Sequence, residues 1–290
     1  MSRITTGEPE GEYGGNVVPY RLKWRPRGVR PGAHPGQGDG GDGTFRTLVP
    51  LVARPDPRRI DLRASLRDPF EGVHVRTFAP RRATTVAVLT DLSGSMGFDG
   101  TGAEVARLAA TLAASAAATG DEFTLIGAGG DLREGAFIPA TRRRGLGAQV
   151  AAAISDATPS GTSTRGLATV AERLPRRRCL VFLVSDFLMP EADLDLTLDA
   201  LWRHDVVPVL VRDSRTEGDV PAWGLMEVAD AETGGRRLVF MRPGLRARWQ
   251  ATARARIAAL EARFVTRGYA PFHLVNRFDA DALVAFLASR

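Results

Sequence analysis

The sequence predicts an α/β fold: a mostly parallel sheet with helices on both faces, preceded by an N-terminal strand and loop extension. Three observations carry this expectation. Apolar β-branched runs alternate with helix-favouring stretches through residues 84–290, the pattern of strands joined by helical crossovers. Two of the runs, Thr85-Val86-Ala87-Val88-Leu89-Thr90 and Cys179-Leu180-Val181-Phe182-Leu183-Val184, read as buried strands. Each then delivers an aspartate, Asp91 directly and Asp186 after Ser185, to the carboxyl end of the strand, where open α/β sheets place their sites.

Residues 1–16 are rich in Gly, Glu and Thr and offer little to bury, so they read as a disordered tail. Val17 to Trp24 reads as a strand, and Pro19 would place it at a sheet edge. Pro26, Gly28, Pro31 and Gly32 then break regular structure, and the run from Pro35 to Gly43 reads as a flexible linker. Residues 17–83 thus form an extension ahead of a domain at 84–290. Within that domain Ala103 to Thr119 is alanine-rich and helical, with Gly120 suited to its end. Phe123 to Ala128 reads as a strand, Leu146 to Ala157 and Thr164 to Leu174 as helices. After the strand at Cys179 come a helix at Leu194 to His204 and a strand at Val206 to Val211. Glu227 to Gly235 has the look of a turn between two short strands. Leu245 to Arg267 is a long Arg-rich helix, and Pro271 to Val275 and Ala280 to Leu287 are a last strand and helix.

A chain of 290 residues with 44% hydrophobic residues can bury a sizeable core. No run reaches the roughly 18 to 20 apolar residues of a membrane helix, and the N-terminus lacks the apolar stretch of a signal peptide. The single cysteine, Cys179, sits inside an apolar strand and reads as a small core residue, so the expected compartment is the cytoplasm. The net charge is +6, and its source is local: residues 1–83 hold 15 Arg and Lys against 9 Asp and Glu, whereas the remainder is balanced. Almost all of these bases are Arg, aromatic residues are few, and no nucleic-acid motif accompanies them. The basic segment is therefore read as helping a partner to dock.

The chemistry-bearing stretch is Asp91-Leu92-Ser93-Gly94-Ser95. It brings one carboxylate and two hydroxyls to one loop, hard oxygen ligands of the kind Mg²⁺ prefers, with Mn²⁺ the alternative. Thr162, in Pro159-Ser160-Gly161-Thr162-Ser163, and the strand-end Asp186 add two further oxygen ligands. Other chemistries lack their residues. No glycine-rich loop is followed by the lysine of a phosphate-binding loop. The stretch from Gly161 to Arg165 fails the nucleophile-elbow pattern at Arg165. His34, His74, His204 and His273 have no zinc-like spacing, and His204 reads as a helix cap or surface residue.

In these five positions the chain resembles the von Willebrand factor A fold, a Rossmann-type domain whose metal-ion-dependent adhesion site uses Asp-x-Ser-x-Ser, a loop Thr and a strand-end Asp. That resemblance implies a metal held by the hydroxyls of Ser93, Ser95 and Thr162, with Asp91 and Asp186 acting through water and one position left for an acidic residue of a partner. A second resemblance lies upstream. Asp56-Pro57-Arg58-Arg59-Ile60-Asp61-Leu62-Arg63-Ala64-Ser65 is similar to the signature of the bacterial domain-of-unknown-function family 58, with Leu62 in place of the usual Trp. Asp56, Arg58, Arg59, Asp61 and Arg63 read as a charge-paired network pinning this segment to the domain. Asp230-Ala231-Glu232-Thr233-Gly234 resembles the same family's turn. Membership implies a non-enzymatic, metal-dependent protein-interaction module, an adaptor to a MoxR-type AAA+ ATPase in protein maturation or assembly. The alternatives are a basic nucleic-acid or membrane-surface adaptor, with nucleic acid the less expected partner, and a metal-dependent hydrolase.

Overall fold

A computed structural model describes residues 17–27, 30–37, 43–97, 100–129, 132–157, 165–217, 220–229 and 235–290. The expected tail at 1–16, most of the glycine run at 38–42, Thr162 and the turn at 230–234 lie outside the described residues. In chain order the elements are β1 (Pro31–Pro35), β2 (Thr44–Pro50), a 3-10 turn (Pro57–Arg59), α1 (Leu62–Ser65), β3 (His74–Ala79), β4 (Arg81–Arg82) and β5 (Thr85–Asp91). Then follow α2 (Thr101–Thr119), β6 (Glu122–Ala128), β7 (Leu132–Thr141), α3 (Gly147–Ser155), α4 (Arg165–Ala171), β8 (Leu180–Ser185), α5 (Glu191–Ala200) and β9 (Asp205–Arg212). The chain closes with α6 (Ser214–Glu217), β10 (Gly224–Ala229), β11 (Arg236–Met241), α7 (Pro243–Thr266), β12 (Phe272–Val275) and α8 (Ala280–Ser289).

The central sheet has six strands in the order β12-β9-β8-β5-β6-β7, parallel except for β7. Every residue of β5, β6 and β8 is buried, which is why these strands read as unbroken apolar runs. Strand alternation sends Ala87, Leu89, Val181, Leu183, Val206 and Leu210 to one face, where they meet Leu167, Val170, Leu194, Leu198 and Phe264 of α4, α5 and α7. The chain leaves β5 through α2 towards β6, and leaves β8 through α5 towards β9, in opposite directions across the sheet. Right-handed crossovers running in opposite directions put their helices on opposite faces. The buried face of α2, which includes Val105, Leu108 and Leu112, therefore covers the other side. The point where the winding reverses lies between the carboxyl ends of β5 and β8. At the amino ends, Arg177 ties Thr85 to Glu122, joining β5 to β6.

Residues 22–84 with 119–121 form a second compact unit, built from two antiparallel ribbons, β1 with β4 and β2 with β3. Inside it the buried Asp121 carboxylate accepts the Thr84 amide at 2.8 Å and meets His34 Nε2 at 2.6 Å.

Several expectations change. Val17 to Trp24 is not a strand; its Pro19 lacks a donor, and Val18 buries itself by giving its N–H to Ser115 Oγ at 2.8 Å. Pro31 and Gly32 do not exclude a strand, because β1 is a short, irregular pairing in which the backbone of Ala83 comes too close for a Cβ on Gly32. The edge strand β7 went unread because Gly135 and Pro139 interrupt its pattern, and both are tolerated at an irregular edge. Helix α5 starts at Glu191 behind Pro190 and stops at Ala200, so His204 is neither cap nor surface residue. It is buried, and its Nδ1 accepts the Cys179 amide at 3.2 Å. The arginine network is smaller than expected. Asp56 pairs with Arg59 at 3.2 Å and Asp61 with Arg76 at 2.7 Å, both inside residues 54–82, whereas Arg58 and Arg63 make no ion pair among the described residues. Gly120, by contrast, ends α2 with φ +73°, and the expected hairpin is present as β10 with β11.

Burial has a measurable consequence at two groups. It pushes the Cys179 thiol up to about 12, so a thiol-specific reagent should leave native protein unlabelled at neutral pH and label it fully once unfolded. Burial, helped by Arg203 and Arg178, pushes His204 down to about 4. The unfolded chain then binds the extra proton first, so stability is complete above about pH 6.5 and declines as pH falls towards 4, by up to about 3 kcal/mol. His204→Asn keeps an acceptor for the Cys179 amide, and its melting temperature should fall less across that window than the wild type's.

Candidate functional site

The reversal point of the sheet is where the two strand-end aspartates stand. Asp91, the last residue of β5, is 1% exposed, and both its oxygens are engaged. Its Oδ1 accepts the Ser93 amide at 2.8 Å, closing a tight Asx turn. Its Oδ2 accepts the Ser185 hydroxyl at 2.7 Å, and Ser185 Oγ in turn accepts the Phe187 amide at 2.9 Å. Ser185 therefore fastens the end of β8 to the end of β5. The loop lies close over β6: a Cβ on Gly127 would stand 2.7 Å from Leu92 Cδ1 and 2.6 Å from Ala136 Cβ, so only glycine fits there.

Ser93 is buried and Ser95 half-buried, with their hydroxyl oxygens 3.2 Å apart. The Ser95 hydroxyl stands near enough to the Asp186 carboxylate to favour its charged form, and Asp186 Oδ1 accepts the Leu188 amide at 2.9 Å. The chain then reverses at Phe187, which holds φ at +53°, a left-handed conformation uncommon for so bulky a residue. The ring repays part of this strain by packing edge-on against Phe264, centroids 5.0 Å apart. Arg256 of α7 donates to the Asp186 carbonyl oxygen at 3.3 Å. A cavity of about 420 Å³ opens beside Asp91, lined by Met96, Gly100, Ala103 and Ile154 among others.

Of the five sequence-predicted residues, Asp91, Ser93, Ser95 and Asp186 come together as one linked cluster, and Thr162 lies outside the described residues. Ser185, Phe187 and Arg256 were not singled out in the sequence. Ser185 carried a faint signal, a hydroxyl next to a strand-end aspartate, whereas Arg256 comes from a helix 70 residues away and carried none.

The donor set fits a hard divalent cation. An octahedral Mg²⁺ with ligands at about 2.1 Å sets neighbouring ligands about 3 Å apart, and the hydroxyls of Ser93 and Ser95 have that spacing. The electrostatics agree. Burial raises the proton affinity of the Asp186 carboxyl above the usual carboxylate range, the nearby Asp91 charge adds to it, and the Leu188 amide, Ser95 hydroxyl and Arg256 offset it only in part. Two carboxylates held close in a shielded place form a field that favours a cation. Among the described residues no three His, Cys, Asp or Glu side chains gather as a metal cage; the donors at this site are two hydroxyls beside two carboxylates. Mg²⁺ at about 100 times its Kd should stabilise the protein by about 2.7 kcal/mol. In Ser95→Ala, calorimetry should show Mg²⁺ affinity reduced about tenfold or more, while the melting temperature without metal stays near that of the wild type.

The family model described as "Protein of unknown function DUF58" matches residues 55–259. A protein of Paracoccus denitrificans, described as an uncharacterized protein in the moxR 3' region, is 38% identical over 105 residues, 36% of this chain and all of that one. An uncharacterized protein of Mycobacterium tuberculosis is 30% identical over 254 residues, covering 81% of this chain and 75% of its own. Among solved structures, the conserved hypothetical protein BatB from Bacteroides thetaiotaomicron aligns with 72% of this chain and its own full length, at 12% identity and a TM-score of 0.41. An aerotolerance-related membrane protein from Bacteroides fragilis aligns with 71% of this chain and 98% of its own, at 11% identity and the same TM-score of 0.41. Because the family model matches more than half of its length, the chain belongs to the DUF58 family.

Proposed function

We propose that this protein is a metal-dependent protein-interaction module that works with a MoxR-type AAA+ ATPase in the maturation or assembly of other proteins. The observation that carries the first half is the Asp91–Ser93–Ser95–Asp186 cluster at the reversal point of the sheet. Ser93 and Ser95 would hold Mg²⁺ or Mn²⁺ directly, with Thr162 as the third hydroxyl. Asp91 and Asp186 would hold ordered water around it. When bound, such a metal supplies a Lewis-acidic position that an acidic side chain of a partner can occupy. The protein's own residues set the geometry: Ser185 locks the Asp91 rotamer, and the turn at Phe187 presents Asp186.

The second half is supported by the relative described as lying in a moxR 3' region, since neighbouring genes often encode proteins that act together. The proposal gives the chain no reaction of its own and has it act in the cytoplasm. In this reading the ATPase does the mechanical work and this chain holds a client or the ATPase itself through one carboxylate.

The test is co-sedimentation with a purified MoxR-type ATPase from the same organism, in Mg²⁺ and in EDTA, with wild type and Asp91→Ala in parallel. Association in Mg²⁺ that is lost in EDTA and lost in Asp91→Ala is the expected result. Association that survives both would remove the metal cluster from partner recognition.

A further inference from the structure

Residues 62–67 form one short helical turn, α1 and the two turn residues after it, with its polarity reversed. Helical hydrogen bonding continues past α1, since the Arg67 amide donates to Ala64 O and the Asp68 amide to Ser65 O, each at 3.2 Å. At 3.6 residues per turn, Asp61, Ser65 and Asp68 fall on one face. That face is fastened to β3. Asp61 accepts from Arg76 Nε at 2.7 Å, Ser65 Oγ accepts the His74 amide at 2.9 Å, and Asp68 meets His74 Nε2 at 2.7 Å.

The opposite face holds Leu62, Arg63, Leu66 and Arg67. Leu62 is 72% exposed and Leu66 87%, followed by Phe70 at 89%, its amide fixed on Asp68 Oδ1 at 3.0 Å. A surface helix ordinarily turns its polar face to water and its apolar face to the protein; here polar groups point in and large apolar groups point out. Arg58, Arg63 and Arg67 are exposed nearby and make no ion pair among the described residues. Large apolar side chains that protrude this far would each need a matching pocket on a protein partner. The interfacial zone of a fluid bilayer receives such side chains without preformed shape, while arginines find lipid phosphates.

We infer that this face is a membrane-surface contact, in which Leu62, Leu66 and Phe70 enter the acyl boundary of an anionic bilayer and Arg58, Arg63 and Arg67 bind its headgroup phosphates. Among the described residues no helix is long and apolar enough to cross a membrane. It is independent of the metal cluster and would bring the interaction module to a membrane surface.

The test is sedimentation of the full chain with phosphatidylcholine vesicles, with and without phosphatidylglycerol, at low and high salt. The wild type should sediment only when phosphatidylglycerol is present, and less at high salt. Leu66→Ser combined with Phe70→Ser should lower the vesicle affinity about tenfold, with an unchanged melting temperature because both side chains are exposed. Should that pair unfold the unit, Arg63→Gln with Arg67→Gln provides the second reading, and it should remove the dependence on phosphatidylglycerol. No sedimentation with any vesicle, or sedimentation that both pairs of substitutions leave unaltered, would overturn the inference. So would a self-association that Leu66→Ser with Phe70→Ser abolishes while vesicles are ignored, because that would assign the face to a second copy of the chain.

Discussion

The hydrogen bond from the Ser185 hydroxyl to the buried Asp91 carboxylate is the interaction on which the rest of the site depends. It joins the carboxyl ends of two adjacent parallel strands at the point where the chain's winding reverses, so neither end can move without the other. A carboxylate this deeply buried is costly unless its oxygens are satisfied, and here both are, one by a loop amide and one by a hydroxyl. The cost that remains is chiefly the burial of the Asp186 carboxylate, to which the nearby Asp91 charge adds, and a divalent cation would relieve both.

The architecture explains why two aspartates distant in sequence arrive together. Parallel strands β5 and β8 are neighbours, and their helices leave on opposite faces, which opens a crevice at their shared end. Neither strand offers a polar side chain to the flanking helices except at its ends, so the strands are positioned by apolar packing alone and the polar chemistry is confined to the loops. Phe187 shows the same division in one residue: its backbone takes the strained turn that presents Asp186, and its ring packs on Phe264 inside the core.

What was legible in the sequence was what physics makes local. The strands at Thr85–Asp91 and Leu180–Ser185 announced themselves because burial on both faces leaves no room for polar residues. The Asp-x-Ser-x-Ser loop did so because it sets one carboxylate and two hydroxyls, all hard oxygen donors, directly after a buried strand. What was illegible was decided at a distance. Arg256 reaches Asp186 only through the fold. His204 is buried because the chain past α5 turns back beside Cys179, and β7 is a strand because an exposed backbone edge of β6 was available to it. The acidic residues of the signature segment turned out to be caps as much as ion-pair partners: Asp56 accepts the Arg58 amide and Asp61 the Ala64 amide.

In the proposed function, two strand-end carboxylates and two loop hydroxyls form one divalent-cation site. A crystal structure grown with Mn²⁺, with anomalous scattering used to locate the ion, tests it most directly. The account predicts a single strong peak within about 2.2 Å of both Ser93 Oγ and Ser95 Oγ, with Asp91 and Asp186 alongside. An anomalous map with no peak there, or with the ion bound elsewhere while these four residues keep their present hydrogen bonds, would contradict it.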